Sequence, residues 1–162
     1  VIRATDNNVW PHGQILSSRV ERLRRIVDMT ERAGSEVILM LFPFPPKILT
    51  ELSLHPASKA ISRVGKLVRE WPRESYDFTD GVALGGGDCE YLDGRHGGDV
   101  VYMRILQKVL EQNPLSLLAP HIQLTRLSRN IERFSGLAVA RFNPERYGFP
   151  EIDYLKMECP KT

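Results

Sequence analysis

In the stretch Glu36, Val37, Ile38, Leu39, Met40, Leu41 and Phe42, the residues after Glu36 form a continuous apolar run. A run of this length without alternation suits a strand covered on both faces, as in a parallel sheet. Pro43, Pro45 and Pro46 end it abruptly, because proline cannot donate to a sheet ladder. The fold reading grows outward from this strand. Upstream, Leu16, Val20, Leu23 and Val27 recur at helical spacing. Ser18 followed by Glu21 matches a capping box, and Gly34 stands where a C-terminal cap belongs. Downstream, a short helical turn is expected over residues 47–53. A helix over 57–71 carries Ile61, Val64, Val68 and Trp71 on one face.

Residues 76–79 then read as a second short strand, followed by a Gly- and Asp-rich loop over residues 80–98. A helix over 99–112 is expected next, with Val101, Ile105, Leu106 and Val109 facing inward and Asp99 as N-cap. Strands alternating with helices in this order imply βαβ units and a parallel sheet, hence an α/β fold. Two strands are few for an open sheet, so further strands are expected before Val1 or in segments whose pattern is not readable. Past residue 113 the pattern weakens. Helical clusters are expected over 114–127, a short strand over 136–140, and a surface-wrapping tail from 141. The expected division is an α/β portion over 1–112 and an extension over 113–162. The entry segment 1–15 reads as irregular, and Asn7 and Asn8 as turn formers rather than oxyanion donors.

Bulk properties narrow the function classes. The chain has 162 residues, 42% hydrophobic and 26% charged, ordinary for one globular domain. A net charge of +2 gives no overall field for nucleic acid. Arg19, Arg22, Arg24 and Arg25 are locally basic, but Glu21, Asp28 and Glu31 interleave, so a solvated helix face is expected. No apolar run reaches the roughly 20 residues of a membrane span. No secretory signal is visible, and a start at Val1 reads as a processed product or a piece of something longer. Cys89 and Cys159 form no CxxC, so structural zinc is not expected. Two unpaired thiols are the simpler reading, with a disulfide as the alternative in an oxidising compartment.

The chemistry concentrates in the loop before the last expected helix. Asp93 and His96 stand three residues apart across a Gly-rich turn. A carboxylate holding Nδ1 leaves Nε2 to act as a base, the base-plus-orienter half of a nucleophilic triad. No activated Ser is evident in the chain. The acids Asp77, Asp80, Asp88, Glu90, Asp93 and Asp99, with His96, could together suit Mg²⁺ or Mn²⁺. Their spacing matches no metal motif, so neither a metal nor a cofactor is expected. Gly85, Gly86, Gly87, Gly97 and Gly98 lack the spacing of a phosphate-binding loop and read as turn formers. His12, His55 and His121 have no partner at informative spacing, and Met103 reads as core.

The run 37–46, the segment 76–80 and the Asp93-x-x-His96 turn with its helix resemble the C-terminal half of an SGNH (GDSL-type) hydrolase. The likeness is closest to envelope-associated SGNH-like proteins, with their D-alanine-transfer and polysaccharide-acetylation relatives, and spans roughly residues 15–112. It implies a three-layer, flavodoxin-like parallel sheet, incomplete at the N-terminus. It implies His96 as general base and Asp93 as its orienter, acting on an O-acylated small molecule or glycan, and it favours an extracytoplasmic site. The family's Gly-Asp-Ser block has no counterpart here. The segment therefore reads as the part of an esterase or O-acyltransferase that lacks its nucleophile and is inactive alone. The alternative is a non-catalytic binding or scaffold domain for a cell-envelope glycan. The oligomeric state is left open.

Overall fold

The computed structural model describes residues 15–55, 58–140 and 159. Among them it is mixed α/β, with five α-helices and a two-stranded parallel sheet. The chain divides into two units, one drawn from residues before 42 and from 50–79, the other from 42–49 and from residue 80 onward.

The first unit opens with α1 (Ser17–Arg32). The capping box does not form. Leu16 already accepts Arg19 N (2.9 Å) and Val20 N (3.3 Å), so the chain has turned before Ser18, and Leu16 is the N-cap with no side-chain cap bond. The C-terminal expectation holds. Gly34 adopts φ 86°, its N–H reaches Glu31 O, and Ser35 N reaches Thr30 O. That pair of bonds is a Schellman motif, whose left-handed residue favours glycine.

The strand β1 (Leu39–Leu41) pairs in parallel with β2 (Ser75–Asp77), Leu39 opposite Ser75 and Leu41 opposite Asp77. β1 is shorter than the apolar run implies and is half-buried rather than enclosed on both faces. It has one strand neighbour among the described residues, so no second described strand flanks it. The crossover runs through α2 (Pro46–Ser53) and α3 (Ser58–Arg69). α3 lies on the sheet and buries Ala60, Gly65 and Val68, spaced five and three residues apart along one side of the helix. Tyr76 and Phe78, alternate residues and so on one face of the chain, stack with ring centroids 5.7 Å apart. Val27, Leu52 and Trp71 are buried in the same unit.

The second unit is built on α4 (Asp99–Gln112), whose limits match the sequence reading. Val100, Val101, Ile105 and Val109 are all at most 2% exposed, so this helix is the centre of its core. α5 (Leu124–Phe134) packs along α4 and contributes Ile131 and Phe134. The strand expected over 136–140 does not form. That segment instead lies against the start of α4, where Asp99 N donates to Ala138 O (2.8 Å). Asp99 is correspondingly not the N-cap. Gly98 is, and the Asp99 carboxylate accepts Ala140 N (2.9 Å). Gly98 is required by close approach, since a Cβ there would run into the Ala138 carbonyl. The expected entry segment and surface tail lie outside the described residues.

Candidate functional site

Residues 80–98 form a chain of short, tied turns within the second unit. Asp80 Oδ1 accepts Val82 N (3.0 Å) and Ala83 N (3.2 Å), starting a 3-10 turn over Val82–Leu84. Asp88 Oδ1 accepts Lys47 N (2.8 Å) in the first turn of α2. Such local and tertiary caps are what short acidic side chains do best. A second 3-10 turn over Asp88–Glu90 then leads to the turn of interest.

That turn is a small hairpin. Tyr91 and Gly97 form an antiparallel bridge, and Leu92 N donates to His96 O (2.9 Å). Gly98 N donates to Glu90 O (2.8 Å), closing the base. At the tip, Asp93 Oδ1 accepts Arg95 N (2.7 Å) and His96 N (2.8 Å). Its other oxygen lies 2.7 Å from His96 Nδ1. One carboxylate thus shapes the turn with one oxygen and holds the imidazole with the other.

Both predicted site residues are therefore brought together. Burial pushes the Asp93 carboxyl up. The His96 ring, the Arg95 and His96 backbone N–H groups and the His96 charge more than offset that, and hold it below the ordinary carboxylate range. Ionised, Asp93 can only accept, so Nδ1 carries the proton and Nε2 of neutral His96 presents its lone pair. The imidazole side chain is 67% exposed and has no other polar partner among the described residues. That is the geometry of an oriented base open to an incoming group. Among the described residues it holds no nucleophile: none of their hydroxyls bonds the ring, and the cysteines are not free thiols.

Sequence reasoning missed what supports the turn. Glu90, placed among loop acids, is 1% exposed. Arg104 donates to it twice, Nε to Oε2 (2.8 Å) and Nη2 to Oε1 (2.9 Å). Gly136 N adds a third bond (2.9 Å), and Ser135 Oγ lies 3.4 Å away. The residue next to the turn is thereby fixed to α4 and to the end of α5. No local spacing announces a partner fourteen residues on, although an Arg on an otherwise apolar helix face was a signal. Tyr91 beside it is also buried. Burial, and then the charges of Glu90, Asp88 and Asp80, push its phenol well above its ordinary value, so it stays a neutral hydroxyl.

Cys89 and Cys159 are bonded, with Cα atoms 5.3 Å apart and 70 residues between them in sequence. This corrects the reading of two unpaired thiols. Cys159 is thereby held at the site loop, through the disulfide that the sequence left as the alternative. The loop acids do not converge either. Among the described residues no group of three or more His, Cys, Asp or Glu is placed to hold a metal ion. Asp77, for example, is engaged by Arg69 and by Thr79 Oγ1 (2.7 Å).

The chain matches no known family model, no curated protein and no solved structure. No helix among the described residues is long and apolar enough to cross a membrane.

Proposed function

We propose that this chain is the C-terminal portion of an SGNH-like esterase or O-acyltransferase, supplying the His and Asp of a Ser-His-Asp triad. The observation that carries the reading is the Asp93–His96 hydrogen bond at Nδ1, with the rest of the ring open. In this scheme a Ser outside the segment attacks an O-acyl carbonyl. His96 Nε2 takes the hydroxyl proton and returns it to the leaving alkoxide, while Asp93 fixes the tautomer and stabilises the imidazolium. β1 and β2 would belong to a larger three-layer parallel sheet, with residues 113–162 as an extension. The Cys89–Cys159 bond supports an extracytoplasmic site, because disulfides persist in oxidising compartments.

The test is steady-state hydrolysis of an O-acetyl ester by the protein that includes the proposed nucleophile. His96→Ala should lower kcat on the order of 10⁶-fold and Asp93→Asn on the order of 10⁴-fold, with the fold intact. Retained turnover in His96→Ala sinks the proposal. A second reading is a non-catalytic binding or scaffold domain for a cell-envelope glycan. It is favoured by one observation, the lack of a nucleophile on His96 among the described residues.

A further inference from the structure

The interleaved charges of α1 come apart in three dimensions. At about 100° per residue, Glu21, Arg24, Asp28 and Glu31 share one flank of the helix. All three acids there are engaged: Glu21 with Arg24 (3.3 Å), Asp28 with Arg73 (3.6 Å), and Glu31 with Arg73. Arg24 also lies over the Trp71 ring at 6.0 Å. The face opposite buried Val27 carries Arg22, Arg25, Met29 and Arg32, with Arg19 and Ile26 at its edge. All six are exposed, Ile26 at 54% and Met29 at 69%. These four arginines have no anionic partner among the described residues. A chain of net charge +2 therefore concentrates cationic charge on one helix face, with two apolar side chains set into it.

We propose that this face of α1 docks on an anionic phospholipid surface. Guanidinium groups bind phosphate oxygens in a bidentate manner, and each basic residue near such a surface adds to binding. Ile26 and Met29, among the arginines, are placed to enter the headgroup–acyl boundary while the helix lies in the plane of the surface. A soluble acidic partner would use the arginines without needing the two apolar side chains, which is why lipid is the better fit.

The test is flotation of the whole chain with phosphatidylcholine vesicles, with and without about 30 mol% phosphatidylglycerol, at low and high salt. Binding should require phosphatidylglycerol and weaken with salt. Arg22→Ser with Arg25→Ser should weaken it about 25-fold, fivefold per arginine. Arg126→Ser with Arg129→Ser on α5 removes the same charge elsewhere and should leave it unchanged. Ile26→Ser with Met29→Ser should weaken vesicle binding but not any binding to heparin. Circular dichroism confirms that each variant is folded. Absence of vesicle binding overturns the proposal. So does equal loss in the α5 variant, which would make net charge the cause. Indifference to Ile26 and Met29, with heparin bound as well as vesicles, overturns it in favour of a soluble polyanion.

Discussion

Two acid–base pairs stand within a few residues of each other in the second unit and do opposite work. Glu90 and Arg104 are sealed, with side chains 1% and 15% exposed. Asp93 and His96 are open, at 35% and 67%. The buried pair is satisfied on every side, by two guanidinium bonds and a backbone N–H. It leaves nothing over for chemistry, so its product is rigidity. The open pair is satisfied at one nitrogen and leaves the other without a polar partner among the described residues. A site needs both: one pair that cannot move and, hung from it, one that can react.

Breaking the buried pair should cost most. Glu90→Ala strands Arg104 in the core and should destabilise the chain by about 3–5 kcal/mol, measured by urea unfolding. A loss under about 1 kcal/mol would mean that the seam is not a clamp. Next comes the covalent tie. Cys89→Ser with Cys159→Ser removes a long closed loop and should cost about 2–4 kcal/mol, read as a shift in the urea midpoint. Gly98→Ala, forced against the Ala138 carbonyl, should cost about 1–3 kcal/mol. Smallest is the open pair. Asp93→Asn should change stability by less than about 1 kcal/mol, because exposed pairs are screened. Its effect should appear in the imidazole instead, as a shift of the neutral ring toward the Nε2–H tautomer in nitrogen-15 spectra.

The pH dependence sharpens the same contrast. Because the folded Asp93 pKa is depressed, its contribution is complete above the unfolded value of about 3.9 and is lost as pH falls through the folded value. Carbon-13 titration of the Asp93 carboxyl should therefore give a midpoint below about 3.9, and Asp93 bonds to Arg95 N and His96 N should open in that acid range. A midpoint above it would contradict the turn geometry.

What the sequence made legible was local. Asp93 and His96 are three apart, so their contact depends on one turn and could be read directly. The limits of α4 and the inward turn of Val101, Ile105 and Val109 followed from periodicity, whereas Leu106 is only half-buried and the fully buried Val100 was missed. The parallel pairing of β1 with β2 followed from alternation of strands and helices. The failures were contacts between distant segments. Residues 136–140 are apolar enough for a strand, but the start of α4 supplies their bonding partner. Glu90 finds Arg104 and Gly136, 14 and 46 residues away. Cys89 finds Cys159 across 70 residues. On α1 the charges interleave in sequence, and that the acids are engaged from outside the helix appears only once Arg73 is seen beside Asp28 and Glu31.

The most direct test of the central claim is serine-directed fluorophosphonate labelling of the whole gene product, followed by peptide mapping. The account predicts one labelled Ser outside these 162 residues, with labelling abolished in His96→Ala and strongly slowed in Asp93→Asn. No labelling, or labelling indifferent to His96, would contradict it and leave the Asp93–His96 turn as part of a binding domain.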